Sequence, residues 1–168
     1  MTIDTAIREA IKYETRIRDL YAEASNVSRQ EEARALFQLL EKEEASHLQY
    51  LEFKLGEWKE KGIVTLTTLA SALPNAAKIE EAVAKAKTDL KSHDQGGEEN
   101  ALERALKAEE ETSAFYRSLV SSLSGKEAAL FARFVEIEEG HTLIVRAELD
   151  LATRTGHWFD VRVFDLED

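Results

Sequence analysis

The sequence predicts an all-α protein: a four-helix bundle whose second and third helices are joined by one long crossover. Three observations carry this. Ala, Leu, Glu, Lys and Arg recur throughout, with a single proline and seven glycines, a composition that favours helix. Four long segments place apolar residues at three- and four-residue spacing. The second and third of these are separated by far more chain than a turn needs, and in a compact domain such a connection crosses the fold.

The first helix runs from about Asp4 to Ala24, with Ile7, Ala10, Ile11, Ile17, Leu20 and Tyr21 on its apolar face. The second is expected to open at "SRQE", where Ser28 and Glu31 make a capping box, and to reach about Lys61. Leu36, Phe37, Leu40, Leu48 and Leu51 line its inner side. The crossover, about 62–99, holds "TLTTLASALPNAAK", read as irregular, and "KIEEAVAKAKTDL", read as a short helix. The third long helix covers roughly Asn100 to Leu123. The fourth opens at "SGKE", a second capping box from Ser124 and Glu127, and ends near Thr153. Residues 1–153 thus form the bundle. Residues 154–168 are an aromatic-rich extension expected to pack on its own bundle or on a neighbouring subunit.

Length and charge limit what such a bundle does. At 168 residues it is one domain with room for a sizeable core. A formal net charge of −11 argues against nucleic-acid and anionic-membrane partners, which need clustered Lys and Arg. The absence of cysteine removes disulfides, thiolate metal sites, iron–sulfur clusters and cysteine nucleophiles from this chain. The segment "MTIDTAIREAIKYE" is too polar for a signal peptide, and no stretch approaches the ~18 apolar residues of a membrane span. A cytoplasmic protein is expected, in which the sequon Asn26-Val27-Ser28 carries no glycan.

The chain also repeats itself. At an offset of 95, "AIREAIKYETRIRDLY" lies over "ALERALKAEEETSAFY", matching Lys12 with Lys107, Glu14 with Glu109 and Tyr21 with Tyr116. At an offset of 94, Leu36 meets Leu130, Phe37 meets Phe131, Glu44 meets Glu138 and His47 meets His141. The expected fold is a duplicated helical hairpin, its halves facing each other across a pseudo-two-fold axis.

Two of the four histidines fall in these matched places, each three residues after a glutamate and so on the same helix face. Glu44 is flanked at helical spacing by Phe37, Leu40, Leu48 and Leu51, and Glu138 by Phe131, Phe134 and Val145. Glu14 lies among Ile7, Ala10, Ile17 and Tyr21, and Glu109 among Leu102, Ala105, Leu106 and Tyr116. All four glutamates therefore aim at the core, whereas Glu110, among Glu103, Lys107 and Arg117, faces solvent. Burying a bare carboxylate costs several kcal/mol, and four together repel or take up protons. No lysine or arginine is expected on these inner stripes. Two divalent cations would balance four carboxylates, and oxygen with imidazole donors suits Fe, Mn, Co or Zn.

"YETRIRDLY", "EKEEASH", "AEEETSAFY" and "EIEEGH" resemble the rubrerythrin family of the ferritin-like superfamily, across all four long helices. The resemblance implies a ferritin-like di-iron bundle with two iron ions, Mn or Zn being possible replacements. Glu14 and Glu109 would be terminal carboxylates, Glu44 and Glu138 bridging ones, and His47 and His141 one imidazole per iron. Tyr21 and Tyr116, the candidate catalytic tyrosines, would hydrogen-bond to ligand carboxylates. Two departures stand out. The cysteine-ligated rubredoxin module of rubrerythrins is missing, so electrons would come from a separate donor protein. Where those proteins carry an extra carboxylate, the inner face has Thr112 and Ser113, with Glu110 and Glu111 nearby.

The implied activity is reduction of peroxide or dioxygen, of peroxidase or ferroxidase type. Iron handling or storage without efficient turnover is the alternative. A homodimer or higher homo-oligomer is expected. His93 reads as a solvated loop histidine and His157 as a packing residue. Glu41 reads first as a solvated residue and second as an extension of the carboxylate cluster or part of an ion-entry path, and Gly96-Gly97 as a turn without a phosphate-loop pattern.

Overall fold

The computed structural model describes residues 1–88, 98–155 and 158–164, and every regular element among them is a helix. In chain order these are α1 (Ile3–Val27), α2 (Glu31–Lys61), α3 (Ala76–Thr88), α4 (Glu99–Ser122) and α5 (Gly125–Thr155), then a 3-10 turn at Val161–Phe164. The all-α expectation holds, and each long helix lies within a few residues of its expected span. His93, His157 and the Gly96-Gly97 turn lie outside the described residues.

Local chemistry sets the boundaries. Thr2 caps α1, its hydroxyl accepting the Thr5 N–H at 3.4 Å. The capping box expected of Ser28 and Glu31 does not form. The Ser28 N–H and hydroxyl both donate back to the Ala24 carbonyl, at 3.0 and 2.7 Å, so this serine closes α1 instead of opening α2. Glu98, just before α4, reaches over and accepts the Arg29 N–H at 2.9 Å. A distant carboxylate thus satisfies the turn that the local motif was expected to serve. Gly62, with φ +66°, ends α2 in the left-handed region that glycine tolerates.

Connections of a few residues join α1 to α2 and α4 to α5, which forces each pair into an antiparallel hairpin. Across the pairs α1 packs on α4. The crossover runs without regular structure to α3, which lies on α5 and on the 3-10 turn. Gly140 makes that docking close: a Cβ there would come within 3.3 Å of Ile79 Cδ1.

Two apolar clusters fill the interior. One gathers Ile17, Leu36, Phe37, Leu40, Ala105, Ala108, Ile144 and Val145. The other gathers Ile3, Ile7, Leu51, Leu119, Leu130, Phe131 and Phe134. On every long helix the switch from one cluster to the other happens at a glutamate: Glu14, Glu44, Glu109 and Glu138. The helices therefore trap a polar layer between two greasy ones. The described part of the extension packs at home, with Trp158, Phe159 and Phe164 all in the first cluster, so these three rings are already covered by their own chain.

Candidate metal centre

Glu14, Glu44, His47, Glu109, Glu138 and His141 are all 0% exposed and meet in that layer. From α2, the His47 Nδ1 lies 3.0 Å from Glu14 Oε2, 3.1 Å from Glu44 Oε2 and 3.3 Å from Glu138 Oε1. From α5, the His141 Nδ1 lies 2.8 Å from Glu44 Oε1, 3.7 Å from Glu138 Oε2 and 3.8 Å from Glu109 Oε1. The two imidazoles stack almost parallel, 5.6 Å between centroids and 6° between planes. Two groups of four donors result: Glu14, Glu44, His47 and Glu138, and Glu44, Glu109, Glu138 and His141, in each of which the donor atoms lie within 4.8 Å of one another. Glu44 and Glu138 belong to both.

The tyrosines cross over. Tyr21 on α1 donates its hydroxyl to Glu109 on α4, and Tyr116 on α4 donates to Glu14 on α1. Both are fully buried, and burial first, then the carboxylate beside each, pushes the phenols well above their usual range, so they stay as donors. Each tyrosine leans toward the N-terminus of its helix, as helical side chains do, and so reaches the glutamate of the facing helix.

Protons offset charge in such a cluster. Burial raises the Glu109 and Glu44 carboxyls above their ordinary range. Burial also opposes charge on His47 and His141, but the surrounding carboxylates, Glu44 foremost, outweigh it and raise both imidazoles well above the usual value. Several oxygens nonetheless have no hydrogen-bond partner, namely Glu109 Oε2 and both oxygens of Glu138, while Glu44 Oε1 and His141 Nδ1 lie 2.8 Å apart without being aligned for a bond. Buried lone pairs converging without partners are what a cation needs and what a folded core otherwise avoids. The donor set fits an oxygen- and imidazole-binding divalent metal.

The structure adds residues that spacing alone left out. Glu43, 6% exposed, receives Ser71 Oγ–H and the Ala72 N–H (3.0 Å) from the crossover. Burial works against its charge, but the His141 imidazole, Ser71 and Ala72 outweigh it and bring the carboxyl down to about 2. A signal was present: Glu43 is three residues after Leu40 and four before His47, on the same stripe. Glu41, read as solvated ahead of extending the cluster, is half-buried. Lys54 corrects the expectation that no cation would occupy an inner stripe. It is 0% exposed, but its ammonium binds Glu57 at 2.9 Å and Thr65 at 3.1 Å, tying α2 to the crossover and not to the glutamates of the polar layer. Glu110 and Glu111 pair with Arg146 and Arg16, both at 2.8 Å, while Thr112 and Ser113 hold the buried positions. A cavity of about 560 Å³ opens between crossover and α5, lined by Ser71, Ile137 and Gly140 but by none of the six donor residues.

Fold and site together define an all-helical protein with a buried glutamate–histidine cluster able to hold a metal ion. Among the described residues no helix is long and apolar enough to cross a membrane. Comparison with protein-family models, curated proteins and solved structures finds no significant match.

Proposed function

We propose that the protein is a ferritin-like, rubrerythrin-type bundle that binds two iron ions and reduces peroxide or dioxygen. The observation that carries the reading is the pair of four-donor groups sharing Glu44 and Glu138. Two carboxylates common to both groups suit two adjacent ions, each completed by one further glutamate and one imidazole. Bound iron would supply the electrons that cleave an O–O bond.

The chain's own residues have definite parts in this. Glu14 with His47, and Glu109 with His141, would hold one ion each, and Glu44 and Glu138 would bridge. Tyr116 and Tyr21 orient the terminal carboxylates through their hydroxyls and keep one oxygen of each from turning away. The two apolar clusters above and below exclude bulk water from the layer. The cavity beside Ser71 and Gly140 is the side from which a molecule as small as peroxide would approach. With no cysteine in this chain to relay electrons, the reading calls for a separate donor protein. It also includes a homodimer or higher homo-oligomer, visible by size-exclusion chromatography.

The test is metal content per chain after anaerobic loading with Fe(II) and desalting, with Glu44→Ala/Glu138→Ala as control. About two irons per chain, lost in the control, is the expected result for this ligand set. Rapid oxidation of the loaded protein by peroxide, with return on reduction, then identifies an oxidoreductase, and slow uptake into a large shell identifies storage. No retained iron would overturn the reading.

A further inference from the structure

The internal repeat is broken beside the site. The offset of 94 that lays Glu44 on Glu138 and His47 on His141 also lays Glu43 on Ile137. Both positions are buried, at 6% exposure each, yet one carries a carboxylate and the other a hydrocarbon.

Both imidazoles turn Nδ1 toward the four glutamates. A neutral imidazole that gives its Nδ1 lone pair to a cation carries its proton on Nε2. That N–H then needs an acceptor, because buried donors seldom go without one. For His141 an acceptor stands ready: Glu43 Oε2 is 3.9 Å from Nε2, and a movement of about 1 Å closes a hydrogen bond. Glu43 is held in place from behind by Ser71 Oγ and the Ala72 N–H, so it is the ring that moves. For His47 the Nε2 has no hydrogen-bond partner and the matched position holds Ile137; Glu43 lies within 4.8 Å of a His47 ring nitrogen as well, but it approaches His141 more closely, at 3.9 Å.

We propose that Glu43 is a positioning residue for His141, accepting its Nε2–H and fixing Nδ1 as the ion-binding nitrogen, so that the two ion positions are unequal. The position formed by Glu44, Glu109, Glu138 and His141 binds more tightly than the one formed by Glu14, Glu44, His47 and Glu138. Through Ser71 and Ala72 the crossover helps to set that difference, linking a segment that lines the cavity to the affinity of one ion. The inference rests on the metal-binding reading above. It adds that the duplicated halves have diverged in function.

Cobalt(II) is the probe, its binding followed by visible absorption and by metal content, with a thermal melt of each metal-free variant. Glu14→Ala leaves only the His141 group complete, and Glu109→Ala leaves only the His47 group. Adding Glu43→Gln to the first is expected to weaken cobalt binding by about 10–100-fold, the usual effect of removing an outer partner of a ligand. Adding it to the second is expected to change nothing. In the unaltered chain two resolved binding steps should draw together in Glu43→Gln, a readout that does not depend on the alanine backgrounds folding. Equal weakening in both backgrounds, accompanied by a lower melting temperature, would make Glu43 a structural anchor and overturn the proposal. So would a Glu43→Gln titration that overlays the unaltered one. If the unaltered chain binds no cobalt, the metal reading itself falls and takes this inference with it.

Discussion

Glu138 is the residue whose replacement should change stability in opposite directions with and without metal. Its side chain is 0% exposed and neither carboxylate oxygen has a hydrogen-bond partner. The nearest cationic atoms are the His47 and His141 Nδ1 nitrogens, at 3.3 and 3.7 Å, and both have closer glutamate neighbours. Four carboxylates face two imidazoles here, so Glu138 is a carboxylate in excess, and replacing buried ionic groups by apolar ones of similar volume stabilises a fold by up to about 1–4 kcal/mol. For a chain of this length each kcal/mol moves Tm by roughly 2–4 °C, so metal-free Glu138→Leu should melt about 2–16 °C higher than the unaltered protein. Metal reverses the order. A divalent ion at a hundred times its Kd adds about 2.7 kcal/mol to the unaltered chain, a rise of roughly 5–11 °C. Glu138→Leu, which removes a donor common to both groups, should gain almost none of it. Melting curves by circular dichroism, in chelator and in excess cobalt(II), read both effects. A lower metal-free Tm for the variant would mean that Glu138 is satisfied in the fold. A full metal-induced rise in the variant would mean that the ions bind elsewhere. Either result refutes the argument.

Glu148 should give stability a pH dependence of its own. Burial pushes this carboxyl up to about 8, against the pull of the Phe159 N–H, which donates to both of its oxygens at 3.2 Å. Its folded value is above its unfolded one, so its contribution is complete below about pH 4.5 and is lost as pH rises toward 8. At about 1.36 kcal/mol per pH step the ceiling is roughly 5 kcal/mol, reduced wherever the segment around Trp158 and Phe159 lifts off first. Denaturation at a series of pH values should show the unaltered chain losing ground to Glu148→Gln across that window, and parallel curves would refute it. Tyr116→Phe removes the only tyrosine donor to Glu14 among the described residues and should cost about 1–3 kcal/mol of metal-free stability. Cobalt affinity should fall with it by about 10–100-fold, and an unchanged titration would reduce Tyr116 to packing.

Some of this was legible because helices write their environment into a periodic pattern. The stripes that carry Ile7, Ala10, Ile17 and Tyr21 on α1, or Phe131, Phe134 and Val145 on α5, needed no third dimension. Nor did the oddity of a glutamate in the middle of each, or the doubling of Glu-x-x-His. Capping was less legible. "SRQE" satisfies the capping-box pattern, but Ser28 bonds to the turn behind it because a three-residue loop keeps it against α1. A four-residue motif cannot say which of two adjoining helices it will serve. Lys54 was missed for a similar reason: its partners Glu57 and Thr65 close around it only after the crossover folds back over α2.

What the sequence determined by itself is the set of groups at the centre: four glutamates and two histidines on inward faces, in two matched halves. Spacing along one helix settles which side chains share a face, since that is a property of local geometry. What only the tertiary structure decided is which groups face each other across helices. Tyr21 reaches Glu109 and Tyr116 reaches Glu14, not the glutamates on their own helices, because α1 packs against α4. Glu43, from the same helix as His47, stands behind His141. Distances between helices depend on how whole faces pack, and no single helix carries that information in its own repeat.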